Sequence, residues 1–302
     1  MAGQIVSSKA TLSMFDMFPN ATREQLEALS KGLPVPPSSN FAPTTVAATP
    51  ASSYGVSCIM PVADPRRRTM ARACINRFLQ QRYPDKELVI VNATGTALLD
   101  SEHPSLHEIS VKQTDLSVGA MRNIGIDRAT KAWIAQWDDD DYRDPHLLAY
   151  QMGFAEPGKA IMLSTQVLLR LRSNQDNMPF MPTAFLRTSY GHPSTLIFPK
   201  TDQRYSTDTL EDENFYRKYW VDKTVLVNNV AFPYCMYMVA VHHGLNITRP
   251  EIFMHGKHES NSISLPSAAM VQRLKEILVS FGYKIPSDEL TPSASNVVPV
   301  PT

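Results

Sequence analysis

Trp133-Ile134-Ala135-Gln136-Trp137-Asp138-Asp139-Asp140-Asp141-Tyr142-Arg143-Asp144-Pro145 is an apolar strand-like segment running into four consecutive carboxylates. Two like charges about 4 Å apart repel by roughly 4 kcal/mol at an effective dielectric of about 20, so the run needs a compensating partner. Mg2+ or Mn2+ is the obvious one, because these hard ions prefer carboxylate oxygens and keep part of their water shell. A solvated acidic loop is the plain alternative for such a run. Its place between a buried-type strand and a helix, with Asp144 and Pro145 reading as N-cap and first helical residue, favours a metal site. If residues 138–141 continue the extended backbone, Asp138 and Asp140 share one face about 7 Å apart, and Asp139 and Asp141 face the protein. One member of the first pair then suits a metal, and the other a ligand hydroxyl or a metal-bound water. Asp141 would orient neighbouring backbone.

Upstream of the run, strand and helix patterns alternate. Residues 56–60 read as a strand ended by Pro61, and residues 69–81 as a helix with Met70, Ala73, Cys74 and Phe78 on one face. Leu88-Val89-Ile90-Val91 is a continuous apolar run, typical of a strand covered on both sides. A strand around 109–111 and a helix over 118–130 precede Trp133. Repeated βα units of this length imply a mostly parallel sheet flanked by helices, with ligands at the carboxyl ends of its strands. The acidic run lies at such an end.

Downstream, strands are expected at 160–169, 194–198, 224–227 and 234–241, and a helix over 210–219 carries Glu211 and Asp212. A last helix over 268–281 has Met270, Val271, Leu274, Ile277, Leu278 and Phe281 at helical spacing, and Gly282 ends it. That stripe reads as core or docking surface. At the other end, a short helix over 23–31 precedes a Pro-, Ser-, Ala- and Thr-rich stretch over 33–53. Three parts follow: an N-terminal appendage over 1–53, an α/β domain over 54–260, and a C-terminal helix with a polar tail over 261–302.

A chain of 302 residues with 43% hydrophobic residues can bury a substantial core. Its net charge of zero provides no global field for nucleic acid. The three cysteines, Cys58, Cys74 and Cys235, have neither paired nor zinc-type spacing. No signal-peptide pattern opens the chain, and the longest apolar stretch, 230–241, contains Pro233 and is too short to span a bilayer. A cytoplasmic location is the expectation. Arg66, Arg67, Arg68, Arg72 and Arg77 form a local basic patch that reads as a solvated helix face, with phosphate contact as the alternative.

The acidic run matches the Asp-x-Asp-Asp-x-x-x-Pro pattern of family 2 glycosyltransferases of GT-A fold, and other segments follow in order. Residues 56–62 resemble that family's opening strand. Phe78-Leu79-Gln80-Gln81-Arg82-Tyr83-Pro84 resembles its Leu-x-Gln-Thr-Tyr-Pro helix end, and Glu87-Leu88-Val89-Ile90-Val91 its second strand. Gly119-Ala120-Met121-Arg122-Asn123-Ile124-Gly125 resembles its Ala-x-Arg-Asn-x-Gly helix. Residues 191–198 look like the acceptor-side strand, Leu210-Glu211-Asp212-Glu213 like the Glu-Asp that supplies the base, and residues 243–248 like a late His-Gly-x-Asn-Thr segment.

The resemblance implies a GT-A type fold, a Rossmann-like mixed sheet flanked by helices, and inverting transfer of a sugar from a nucleotide-sugar donor, a UDP-sugar first, to an acceptor hydroxyl. Asp212 would be the general base. Asp140, with Asp138 and His243, would hold Mn2+ or Mg2+, although His242 competes for that role. Pro61, Val62, Asn92, Arg122, Asp138 and Asp139 would line the donor site. His192, Ser194 and Glu211 would lie on the acceptor side. One departure concerns the nucleobase: Asn92-Ala93-Thr94-Gly95 stands where the family has adjacent carboxylates, leaving Asn92 as the side chain to meet the base. The acceptor itself, whether glycan, lipid, protein or nucleic acid, is open.

Two other classes compete. A nucleotidyltransferase or sugar-nucleotide pyrophosphorylase would carry a Gly-rich, basic phosphate loop near the first strand, and Pro61-Val62-Ala63-Asp64-Pro65 has no glycine. A non-catalytic cation- or carbohydrate-binding module would need neither Arg122 nor Asp212.

Overall fold

The computed structural model describes residues 54–112, 115–170, 183–187, 191–208, 210–229 and 236–243, and within 272–279 it describes 272–274, 276, 277 and 279. The expected helix over 23–31, the linker over 33–53, residues 244–248 and the tail after 284 lie outside the described residues.

The first half follows the expected alternation. Strand β1 is Val56–Val62, helix α1 Arg68–Leu79, β2 Lys86–Asn92, β3 Leu106–Ser110, α2 Val118–Arg128 and β4 Trp133–Gln136. Strand β1 pairs in parallel with β2 on one side and with β4 on the other, and β2 pairs in parallel with β3. Every residue of β1 is buried, as its apolar run requires of a strand covered on both faces. Alternation divides the two layers. Val56, Cys58, Met60 and Val62 pack with Met70, Cys74 and Phe78 of α1, whereas Ile59 packs with Ile126 of α2. Helix α2 lies very close to the sheet at Gly125, where a Cβ would stand 2.3 Å from Ile59 Cγ2.

The second half is more divided than the sequence indicates. After β5 (Tyr142–Arg143) and α3 (Leu147–Met152), the single strand expected over 160–169 breaks at Ser164 into β6 (Ala160–Leu163) and β7 (Thr165–Arg170). Fully buried Asn229 holds the break. Its Oδ1 accepts the Thr165 N–H at 2.9 Å, and its Nδ2 donates to the Thr165 carbonyl at 2.9 Å. Strand β8 (Thr183–Arg187) follows. The strand expected over 194–198 becomes a 3-10 turn over Pro193–Thr195 and then β9 (Ile197–Pro199). Helix α4 (Glu211–Tyr219), β10 (Thr224–Val227) and β11 (Met238–His242) complete the order.

The main sheet runs β3-β2-β1-β4-β9-β6-β10, with β9 antiparallel to both neighbours, and a second sheet runs β5-β11-β7-β8. A mixed seven-stranded sheet flanked by helices is the α/β architecture expected. In the C-terminal helical stretch Leu274 and Ile277, the two described members of its apolar stripe, are buried in the larger core cluster, and Val279 is exposed. No described helix is long and apolar enough to cross a membrane.

Candidate functional site

The sheet opens beside the acidic run for a reason visible in β1. The Trp137 N–H donates to the Ile59 carbonyl at 3.0 Å. The next β1 residue facing β4 is Pro61, which has no N–H to extend the pairing. Strands β1 and β4 therefore part there, while the Val62 carbonyl still accepts the Ala93 N–H on the β2 side at 2.9 Å. This is also where the strand order reverses, the place at which open α/β sheets bind ligands.

Beyond Trp137 the chain turns rather than continuing extended, so the expected pairing of Asp138 with Asp140 on one face is corrected. The turn lets β5 pair antiparallel with β11 and lets the Val241 N–H donate to Asp141 Oδ1 at 3.1 Å. The start of α3 is corrected too. His146 is its N-cap, and Asp144 instead accepts the His146 N–H at 3.0 Å within the preceding turn.

Three arginines offset the charge of the run. Arg143, 1% exposed, lies over the Trp137 ring at 4.7 Å and donates to the Asp138 carbonyl at 3.2 Å. Arg122 Nη2 donates to Asp138 Oδ1 at 2.7 Å. Arg67, from the 3-10 turn Pro65–Arg67 after β1, bonds Asp139 and lies 2.8 Å from Asp140 Oδ2. His243 Nε2 stands 3.2 Å from that same Asp140 oxygen. Burial pushes the Asp140 carboxyl up, but the His243 hydrogen bond and the Arg67 and Arg143 charges reverse this and leave it below the usual carboxylate range. Asp139 and Asp141 go the other way, raised by burial and by the Asp140 charge. Asp138 has the most open side chain of the four, with 20% exposure against 9% or less for the others.

Arg122 joins this run to α4. Ser117 caps α2, its Oγ accepting the Ala120 N–H at 3.2 Å, and Arg122 follows one turn later with its guanidinium over the Tyr205 ring. One terminal nitrogen takes Asp138 and the other bonds Glu211 Oε1. The approach depends on Gly119, where a Cβ would lie 1.9 Å from the Ser206 carbonyl oxygen and 3.2 Å from Glu211 Cβ. Asp212 follows in the first turn of α4, its Oδ1 accepting the Glu213 N–H at 2.7 Å. Burial raises its carboxyl above the usual range, Arg122 opposes, and Asp138 adds to the rise. Glu211 is raised by burial as well, against Arg122.

The remaining expected residues fall in varied places. The Asn92 amide, expected to meet the nucleobase, is hydrogen-bonded within the protein. Its Nδ2 donates to the Thr96 carbonyl at 2.9 Å and to Glu108 Oε1 at 2.5 Å. Its Oδ1 accepts the Thr94 N–H at 2.9 Å and the Thr94 hydroxyl at 2.7 Å. His192 is buried, its N–H donating to the Leu163 carbonyl at 3.1 Å, and Ser194 Oγ donates to Gln166 Oε1 at 3.3 Å. The basic patch is dispersed. Arg66 pairs with Asp64, Arg68 with the Thr96 carbonyl, Arg72 with Asp100 and Arg77 with Gln80, and Arg67 alone turns into the acidic run. Its role was missed because five arginines on a turn and a helix look alike in sequence. The one usable signal is that Arg67 lies in the turn that follows the strand bordering the crevice.

Among the described residues no three His, Cys, Asp or Glu side chains are grouped to hold a metal ion. Asp140 Oδ2 and His243 Nε2 do converge, and Asp139 Oδ2 is buried beside them without a hydrogen-bond partner. A carboxylate and an imidazole fit an ion of the Mg2+ or Mn2+ type, which commonly takes its other oxygens from water and substrate phosphates.

The family model described as Glycosyl transferase family 2 matches residues 57–210, just over half of the chain. Among solved structures, the chain is similar to S. aureus TarS 1-349 in complex with UDP-GlcNAc, at 17% identity over 75% of this chain and 72% of that one, with a TM-score of 0.45. It is similar also to the mannosyltransferase PcManGT from Pyrobaculum calidifontis in complex with GDP-Man and Mn2+, at 14% identity over 76% and 64%, with a TM-score of 0.42. No curated protein matches the chain.

Proposed function

The chain belongs to glycosyl transferase family 2 and is a glycosyltransferase, and from that premise we propose that it moves a sugar from a nucleotide-sugar donor to an acceptor hydroxyl by one inverting displacement. The observation that carries this reading is the Arg122 guanidinium, held between Asp138 at the crevice and Glu211 beside Asp212. It ties the carboxylate at the crevice to the residue that immediately precedes the proposed base, whose own carboxyl it lowers by its charge.

Asp212 is the general base. A carboxyl raised by burial sits nearer to neutrality and accepts a proton more readily than an exposed one. It takes the proton of the acceptor hydroxyl as that oxygen bonds the anomeric carbon. The bond from that carbon to the diphosphate breaks in the same step, and the diphosphate leaves with the electron pair. Glu211, occupied by Arg122, is a positioning residue for Asp212 rather than an acceptor contact. Asp138, the most open carboxylate of the run, is placed to accept a hydroxyl of the donor's ribose or sugar. Pro61 and Val62 border the crevice with backbone, and His192 and Ser194 belong to the acceptor side. Asp140 and His243 would hold Mn2+ or Mg2+, which when bound supplies Lewis-acid stabilisation of the departing diphosphate.

The test is a donor screen. UDP-glucose, UDP-GlcNAc and GDP-mannose are added to the protein with and without Mn2+, and thermal midpoint and nucleotide release are followed. At least one donor should raise the midpoint only when Mn2+ is present. No shift with any of them contradicts the reading.

A further inference from the structure

Arg67 occupies the place where the charge of the acidic run is densest. Its side chain is 13% exposed, it bonds Asp139, and it lies 2.8 Å from Asp140 Oδ2. That Asp140 oxygen is also the one His243 contacts. A divalent cation held there would place a second positive charge against the guanidinium on one oxygen, so the two compete for it. The arrangement is also incompletely satisfied. Arg67 Nε and Asp139 Oδ2 are both buried without a hydrogen-bond partner. Buried polar groups are rarely left so, and a water, ion or ligand that binds there is the usual reason. The backbone under Arg67 is fixed. Asp64 caps its 3-10 turn by accepting the Arg66 N–H at 2.9 Å and grips the Arg66 guanidinium at 2.6 Å. Arg67 can therefore change partners by side-chain rotation alone, at the mouth of the β1–β4 crevice.

We propose that Arg67 is the donor's diphosphate-binding residue, held on Asp139 and Asp140 as their counter-cation until a divalent cation and donor enter. Building on the proposed transferase reading, its planar fork then yields Asp140 and pairs with phosphate oxygens, which match guanidinium geometry as carboxylates do. The displaced charge stays within the site.

The experiment titrates MnCl2 alone, then UDP and GDP at saturating Mn2+, into the full chain and into Arg67→Gln and Arg67→Lys, reading binding by calorimetry and folding by circular dichroism. Arg67→Gln should bind Mn2+ about tenfold tighter, on the scale that groups beside metal ligands exert. It should bind the better of UDP and GDP about tenfold more weakly, the loss of one charge-assisted pair. Unchanged or weaker Mn2+ binding, or unchanged nucleotide binding, overturns the proposal. If Arg67→Gln does not fold, Arg67→Lys decides. It keeps the charge and loses the fork, so Mn2+ binding should stay near the wild-type value while nucleotide binding falls several-fold; equal nucleotide binding overturns the proposal. Failure of the wild-type chain to bind Mn2+ under any of these conditions removes the metal reading of Asp140 and His243, and the Arg67 proposal with it.

Discussion

Replacing Arg122 by leucine removes the single cation that two elements share. The guanidinium is 5% exposed, and its partners Asp138 and Glu211 are 20% and 11% exposed, so solvent screens these pairs weakly. Each opposite-charge pair about 4 Å apart is worth roughly 4 kcal/mol at an effective dielectric of about 20, before the cost of desolvation. Removing one partner of a buried pair costs about 3–5 kcal/mol, because the other charge is left uncompensated. Arg122→Leu should therefore lose about 3–5 kcal/mol in urea denaturation at pH 7. Arg122→Lys should lose less, since one ammonium cannot serve both carboxylates in the forked geometry. The sign with pH follows from the carboxylates. Without Arg122, the charge that lowers Glu211 and Asp212 is gone, so their folded values rise further above the unfolded ones. A raised carboxyl favours the folded state only once protonated, so the deficit should shrink as pH falls toward and below the ordinary carboxylate range. A double-mutant cycle with Glu211→Gln should show coupling above about 1 kcal/mol. A loss below about 1 kcal/mol in Arg122→Leu, or additivity with Glu211→Gln, would refute the shared-cation reasoning.

Two further substitutions probe the framework. Gly119→Ala places a Cβ 1.9 Å from the Ser206 carbonyl oxygen, which must move the segment leading into Glu211 and Asp212. Overpacking of this kind costs about 1–3 kcal/mol, and turnover should fall further than stability alone explains, measured as kcat at a temperature where the variant is fully folded. Glu87 is a buried hub in β2. Its Oε1 accepts the Ser57 hydroxyl at 2.6 Å and the Thr130 N–H at 2.6 Å, and its Oε2 accepts the Thr130 hydroxyl at 2.7 Å. Burial pushes this carboxyl up, and those hydrogen bonds, with the His107 charge, bring it below the ordinary value of 4.5. Its stabilisation is thus present above that value and lost as pH falls through the lower folded one. Glu87→Ala should cost about 3 kcal/mol at pH 7, with a smaller deficit in acid, as read from denaturant midpoints between pH 3 and 7.

The parallel half of the sheet was legible because its signals are local. The largely apolar run at 56–60 and the all-apolar run at 88–91 need cover on both faces, and the acidic run follows closely on β4. Legibility stopped where long-range partners decide conformation. Nothing near Ser164 announces that Asn229 will break one strand into two. Alternation placed Asp138 with Asp140, but the turn after Trp137, set by β5 pairing with β11, sends them to different cations. Repulsion in the run points to a metal from sequence alone, but Arg67, Arg122 and Arg143 pair with its carboxylates, and of the three only Arg143 lies near the run in sequence. Sequence shows the chemistry of the Asn92 amide but not its partners, which come from its own loop and from Glu108 of β3.

The most direct test of the transferase mechanism is Asp212→Asn, with donor affinity and turnover measured on the same preparation. The substitution keeps size and the contact to the Glu213 N–H while removing the proton-accepting charge. Donor affinity in the presence of Mn2+ should stay near the wild-type value, and turnover should fall by about 10²–10⁴, the usual contribution of a positioned base. Wild-type turnover should also fall on the acid side at a pH above the ordinary aspartate value of 3.8, in line with the raised Asp212 carboxyl, and that limb should be absent in Asp212→Asn. Unchanged turnover in Asp212→Asn would contradict the assignment of the base.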